Sequence, residues 1–204
     1  CTVSLAISLV DLQKQAGAVF DDKAPAEPVH YGNPHGEYAI ADTEAGVIDF
    51  SSRCQIELTG GDRVKFLQNF CTNDLRTLQP GQGCEAFMTS VQGKVLTHLF
   101  IFAGEKSLIL ESAPGTADAV AQHLDKYLIA EDVEIHPRSA AWGEFFVTGP
   151  EVSERLAGLG VVTEGLGALD HRRADLEGIE FWVRRVDWTS QSGFVFSFER
   201  SEAA

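Results

Sequence analysis

The sequence predicts an α+β protein with mainly antiparallel sheets, and two observations carry that prediction. The first is a pair of look-alike segments 89 residues apart, Ile56-Glu-Leu-Thr-Gly-Gly-Asp-Arg-Val-Lys-Phe-Leu67 and Phe145-Phe-Val-Thr-Gly-Pro-Glu-Val-Ser-Glu-Arg-Leu156. Each reads as a β-run, a Thr-Gly turn, an acidic residue where a helix opens and then an amphipathic helix, the pattern of a duplicated α/β unit. The second is the run of strands between and after them, joined by short turns. The order is β-α-β-β-β-α-β followed by β-α-β-β, which builds antiparallel sheets with helices rather than a bundle or a sandwich.

Element by element, Leu5, Leu9, Leu12, Ala16 and Val19 recur at helical spacing and predict an N-terminal amphipathic helix. Pro25, Pro28 and Pro34 mark residues 21–36 as a long surface loop. The run Ala45–Ser52 ends in turn formers, and Cys54–Thr59 alternates as a strand. Asp62 and Glu151 suit the positive end of a helix dipole, and Pro150 suits a first helical position. Glu85–Ser90, Val95–Phe102 and Ser107–Glu111 form a meander through turns at Gln92-Gly93 and Gly104-Glu105. Ala117, Val120, Ala121, Leu124 and Leu128 share one face of a helix over Thr116–Leu128, and Val133–His136 is a short strand. A loop with Gly158, Gly160, Gly165 and Gly167 leads to strands Ile179–Val186 and Phe194–Phe198.

Composition excludes several partners. The chain has 204 residues, 44% hydrophobic, with 16 basic against 30 acidic residues and a net charge of −14. That balance argues against nucleic acid or an anionic membrane as partner, and no apolar run is long enough to span a bilayer. The charge is uneven. Residues 1–60 carry three basic against nine acidic residues, whereas Arg172, Arg173, Arg184 and Arg185 outnumber the acids between 171 and 185. This small cationic island is where an anion would bind.

Cys1, Cys54, Cys71 and Cys84 form no C-x-x-C pair and read as reduced thiols of a cytoplasmic protein, so no metal site is expected. The chain opens on Cys1 rather than Met, which reads as a processed or trimmed chain, and Val3–Val10 is too short and unflanked for a signal peptide. Gly81-Gln-Gly83 lacks the third glycine of a dinucleotide loop and precedes a strand. The six histidines are dispersed without ligand spacing, and neither Cys71 nor Cys84 has a base nearby in sequence.

Two segments stand apart. Thr72-Asn-Asp-Leu75 follows an apolar helix, either as an Asx-turn or helix cap or as polar groups at the mouth of a cavity. Arg184-Arg-Val-Asp-Trp-Thr-Ser-Gln-Ser-Gly-Phe194 reads either as a solvated hairpin or as an aromatic and cationic wall for a flat anion.

Gly46-Val-Ile-Asp-Phe-Ser, Thr59–Leu67, Thr72–Leu75, Gly81-Gln82, Gln92-Gly-Lys-Val-Leu96 and Thr148-Gly-Pro150 occur in the order and spacing of one superfamily. From about residue 12 to residue 198 the chain resembles the folate-binding superfamily of glycine-cleavage T-proteins (aminomethyltransferases) and their YgfZ-like relatives. The resemblance implies two ferredoxin-like antiparallel sheet/helix halves around a central pocket. The halves would cover 51–138 and 139–204, with 1–50 as an N-terminal helix and loop packed on the core. It also implies a C-terminal β-barrel domain, for which this sequence has no room.

The implied ligand is tetrahydrofolate, lined by Asn73, Asp74, Thr97, Arg185, Trp188 and Phe194. Where aminomethyltransferases carry an Asp-Asp pair with the catalytic acid, this chain has Thr97 and His98. Where they carry a pterin-anchoring Glu, it has Val195, and the family Tyr falls on Trp188. The YgfZ-like branch, which does not need the Asp-Asp pair, fits better. Its cysteine signature would lie beyond residue 204. The expectation is a folate-binding protein accessory to iron–sulfur enzyme assembly or repair, with an iron–sulfur or glycine-cleavage protein as partner. The alternatives are an aminomethyltransferase using His98 as its catalytic base and a scaffold whose pocket has closed on Trp188 and Phe194.

Overall fold

The structure is a computed structural model that describes residues 8–22 and 24–200. It opens with α1 (Leu9–Gln15), a hairpin of β1 (Val19–Asp21) and β2 (Ala24–His30), α2 (Pro34–Thr43) and β3 (Gly46–Asp49). The Ser8 hydroxyl caps α1 by accepting from the Asp11 amide. The helix is shorter than its apolar periodicity implied: Val19 belongs to β1, and Leu5 lies outside the described residues.

The expected loop over 21–36 is not one. Pro28 sits in a strand of a two-stranded sheet, and Pro34 stands at the start of α2 with Asn33 capping it through the Gly36 amide. Proline's missing donor is tolerated in a two-stranded ribbon and in a first helical turn, where that donor is not required.

The chain continues through β4 (Cys54–Thr59), α3 (Arg63–Gln68), β5 (Gly83–Thr89), β6 (Val95–Ala103), β7 (Ser107–Ser112), α4 (Ala117–Asp125) and β8 (Glu134–Pro137). Then come β9 (Trp142–Thr148), α5 (Val152–Gly158), β10 (His171–Leu176), β11 (Ile179–Val186) and β12 (Gly193–Glu199). Most of these strands fall within a residue or two of their sequence-based positions. Two expectations do not hold: β10 occupies a stretch where the sequence predicts no strand, and Pro150 precedes the helix by two residues, with Glu151 at its N-cap.

The described residues form two compact units. A middle unit comprises Arg53–Ala140 with Leu166–Arg172, and a split unit comprises the described residues up to Ser52, Ala141–Gly165 and the described residues from Arg173 onward. In the middle unit the five strands lie in the order β5-β6-β7-β4-β8, all antiparallel. Ile56, Leu58, Leu99, Ile101 and Leu110 project into one apolar core with Phe66 and Leu67 of α3 and Val120 and Leu124 of α4.

The split unit has the matching order β10-β11-β12-β9-β3, again antiparallel. Its β9 and α5 correspond to β4 and α3, as the 89-residue offset predicted. Its closing helix and strand, however, are α2 and β3 from the N-terminal stretch. The duplication is therefore complete in three dimensions and permuted in sequence.

The Thr-Gly turns show why the repeat was legible. Gly60 and Gly149 both sit at positive φ, +98° and +127°, and a Cβ would lie 2.1 Å from the Asp132 carbonyl oxygen or 2.4 Å from that of Glu44. Asp132 and Glu44 lie just ahead of the closing strand, and their carbonyls also accept from the amides of Asp62 and Glu151, the equivalent residues of the two turns. Only glycine permits that approach and that backbone angle.

Candidate functional site

The candidate residues fall into two groups, one in each unit. In the middle unit the segment after α3 runs beside β5, with Cys71 bridged to Met88 and the Thr72 amide donating to the Phe87 carbonyl. That places Asn73 where its Nδ2 donates to the Glu85 carbonyl at 2.9 Å while its Oδ1 accepts from the Asp74 amide at 2.8 Å. Both ends of the amide are therefore used as braces. Asp74 accepts from the Arg76 backbone amide at 3.0 Å and holds its guanidinium through two 2.8 Å bonds. The Arg76 guanidinium lowers the Asp74 carboxyl to about 2. The Asx-turn half of the sequence reading is the one these bonds realise.

On β6, Thr97 Oγ1 lies 2.6 Å from Ser112 Oγ, which in turn donates to the His98 carbonyl at 2.7 Å. The His98 ring is fixed on the other side of the strand. Its Nε2 lies 2.6 Å from Glu85 Oε1, and its ring centroid lies 5.3 Å from Phe87 and 4.8 Å edge-on from Phe100. No hydrogen bond to Nδ1 forms among the described residues. Asn73 and His98 thus converge on Glu85, whose carbonyl and carboxylate each hold one of them. Sequence reasoning passed over Glu85 because it is one acid among 30, distinguishable only by cross-strand register.

At the three described cysteines burial favours the neutral thiol. Burial, with the neighbouring Cys71, pushes Cys84 up to about 11, and burial likewise raises Cys71 and Cys54. All three are free, and no group of three metal-ligating side chains occurs among the described residues.

In the split unit Trp188 stands in the turn between β11 and β12. Its ring lies 5.5 Å from Phe50 and 5.2 Å from Phe146, which stack on each other at 5.4 Å and 17°. Phe146 lies across Gly193, where a Cβ would meet its Cε2 at 2.5 Å. The turn is tied to β9 by Thr148 Oγ1, 3.0 Å from Thr189 Oγ1. Phe194 is buried, paired across strands with Arg185 on one side and Val147 on the other. Val195 is fully buried between the register positions of Arg184 and Phe146.

Three of the four arginines of the cationic island lie beside acids. Arg173 pairs with Glu180 at 2.9 Å, Arg185 lies 3.5 Å from Asp187, and Arg184 is buried against Glu144 at 2.8 Å. Glu144 Oε1 also accepts from Ser197 Oγ at 2.5 Å. The middle unit holds another such pair, where Arg53, just ahead of β4, bonds the buried Glu111 of β7, the register partner of Gln55. Phe50, Phe146 and this buried triad were missed as well, although Glu144 and Arg184, opposite charges inside apolar strands, carried a readable signal.

The matched order of the two sheets and the ordered motifs point to one family, and comparison with known proteins decides it. Residues 9–204 match the family model described as the GCVT N-terminal domain. The chain belongs to that family.

Curated proteins similar to this GCVT N-terminal domain include the aminomethyltransferase of Exiguobacterium sibiricum, 24% identical over 96% of this chain and 55% of its own length. The aminomethyltransferase of Bacillus subtilis is 28% identical over 91% and 52%. The chain therefore spans about half the length of the curated relatives it matches. Among solved structures, the glycine cleavage system aminomethyltransferase T of Bartonella henselae superposes with a TM-score of 0.83 at 21% identity, covering 94% of this chain and 52% of that one. A heterotetrameric sarcosine oxidase from Corynebacterium sp. U-96 superposes at 0.57 with 14% identity, over 83% and 86%. The fold is thus that of a glycine-cleavage T-protein, as the sequence resemblance implied. Among the described residues no helix is long and apolar enough to cross a membrane.

Proposed function

We propose that this chain is a cytoplasmic tetrahydrofolate-binding protein of the T-protein/YgfZ kind, accessory to iron–sulfur enzyme assembly or repair, and not a working glycine-cleavage T-protein. One observation carries the reading. The flat wall is kept, as Trp188 packed with Phe50 and Phe146, while the positions matching the family's two functional carboxylates hold Val195 and Thr97/His98. A flat heterocycle gains from aromatic stacking whether or not a carboxylate anchors it, whereas proton transfer needs a titratable group in reach. The loss therefore falls on chemistry before it falls on binding.

Calorimetric titration with tetrahydrofolate tests the binding. A saturable heat that weakens in Trp188→Ala supports the reading, and no heat and no thermal shift at millimolar ligand refutes it in favour of a closed scaffold. For the accessory role, deletion of the gene lowers the activity of iron–sulfur enzymes and leaves glycine cleavage intact; the opposite pattern refutes it.

A second reading, aminomethyl transfer, is favoured by the His98–Glu85 pair. With Nε2 engaged by a carboxylate 2.6 Å away, Nδ1 is the nitrogen left to accept a proton, and the carboxylate steadies the imidazolium that results. Formation of methylene-tetrahydrofolate from an aminomethyl donor, abolished in His98→Ala, would select this reading over the first.

A further inference from the structure

The duplication exposes a deficit in the split unit. In the middle unit the closing helix α4 buries Val120 and Leu124, and Ile135 of β8, opposite Leu58, packs against the same core. In the split unit α2 and β3 take those places. Val47 is the equivalent of Ile135, because it pairs with Val147, the residue 89 positions after Leu58. Yet α2 buries no side chain, and Val47 is 66% exposed although Val147 beside it is buried. Cross-strand partners share one face of a sheet, so the apolar face that is covered at Val147 runs on bare to the β3 edge.

The neighbours of Val47 are apolar as well. Tyr38 and Ile40 of α2 are 75% and 49% exposed, and Leu159 at the end of α5 is exposed too. Leu159 stands one helical turn after Arg155, which reaches Glu44 at the end of α2 at 3.0 Å. An exposed apolar patch on a water-soluble domain marks a contact surface. The charge around it is one-sided. From Pro34 to Asp49 stand Glu37, Asp42, Glu44 and Asp49, with no Lys or Arg. The described residues of the split unit carry 6 basic against 17 acidic residues, a net −11, whereas the middle unit carries 9 against 12, a net −3.

These features choose the occupant. A second copy of this chain would set the acidic face against itself, and like charges placed together oppose association. In the middle unit the equivalent strand position is covered by a helix with apolar residues four apart, Val120 and Leu124. A helix of that pattern with Lys or Arg on its flanks matches both the bare apolar face and its acidic rim. We propose that the α2–β3 face of the split unit is a docking surface for a basic amphipathic helix of a protein partner.

The proposal is independent of folate binding and is tested without it. The probe is a fluorescein-labelled amphipathic helical peptide of Leu and Lys, followed by anisotropy. It is compared with a peptide of the same composition whose Leu residues are spread around the helix, and with a Leu/Glu peptide. The amphipathic Leu/Lys peptide binds saturably, its reordered form binds about tenfold more weakly, and the Leu/Glu peptide does not bind. Tyr38→Ser/Val47→Ser, both at exposed positions, weakens the Leu/Lys peptide about tenfold. Asp42→Lys weakens it severalfold, while Asp125→Lys, the same charge change at an exposed site on α4 of the middle unit, leaves it unchanged. Equal affinity for the reordered peptide, unaltered binding in the double variant, or equal weakening by Asp125→Lys would each overturn the assignment. So would a dimer in sedimentation that Val47→Lys dissolves, which would give the face to a second copy. Should the double variant fail to fold, Asp42→Lys against Asp125→Lys still decides the question.

Discussion

Replacing Arg184 by Met in the split unit isolates the energetic role of its buried ion pair. Arg184 and Glu144 have side chains 1% and 0% exposed, joined at 2.8 Å, with Ser197 Oγ donating to the same carboxylate at 2.5 Å. Taking both charges out of water costs several kcal/mol each, and their attraction offsets that cost only while both are present. Met keeps most of the volume of the arginine stem but leaves a carboxylate whose buried countercharge is gone. The expected loss is about 3–5 kcal/mol, the range for breaking a buried pair. At about 2–4 °C per kcal/mol for a chain of this size, the melting midpoint falls by roughly 6–20 °C.

Urea denaturation followed by fluorescence and circular dichroism measures the loss, with the m-value checked for constancy. The double variant Arg184→Met/Glu144→Leu removes both charges and is expected to recover most of the loss, so that the two substitutions are strongly non-additive. A single-variant loss below about 1 kcal/mol, the scale of a solvent-exposed pair, would refute the reasoning. So would additivity.

Two further outcomes follow from the same geometry. Gly193→Ala places a Cβ 2.5 Å from Phe146 Cε2 and 2.8 Å from Cζ; the clash costs about 1–3 kcal/mol and shifts Trp188 emission, whereas an unchanged melt and spectrum would show that the ring gives way freely. Asp74, held down by Arg76, titrates at about 2, against an ordinary value of 3.8. Any stability this pair lends is present above the ordinary value and is lost as the pH falls through about 2. Side-chain NMR of Asp74 should show that low midpoint, and Arg76→Ala should return it towards 3.8; a midpoint unaffected by Arg76→Ala would remove the guanidinium as the cause.

The candidate site was legible unevenly. Trp188, Phe194 and Arg185 could be singled out because an aromatic, a glycine and two arginines around one turn are unusual in a short stretch. Their surroundings could not. Phe50 and Phe146 are 96 residues apart in sequence and stack at 5.4 Å, and Glu85 gains meaning only because β5 and β6 pair so that Phe87 faces His98. Asn73 looked like a ligand-binding group, and its amide instead braces the turn and Glu85. Polar residue types announce hydrogen bonding, while the identity of the partner is a tertiary fact.

By itself the sequence determined the local elements. Alternating apolar runs such as Cys54–Thr59 and Ile179–Val186 became β4 and β11 with those bounds, because side-chain alternation and burial on one face are properties of a few neighbouring residues. It also determined the duplication, since the Thr-Gly turn must recur wherever a strand enters a helix past a close backbone carbonyl. Tertiary structure alone decided that α2 and β3 close the split unit. Gly46 pairs with Thr148 across 102 residues, and neither strand's pattern names its partner. It decided as well which acids stand beside the arginines of the 173–185 segment. Arg173, Arg184 and Arg185 sit beside Glu180, Glu144 and Asp187, because charge balance is set by which strands lie side by side and not by the order of residues along one of them.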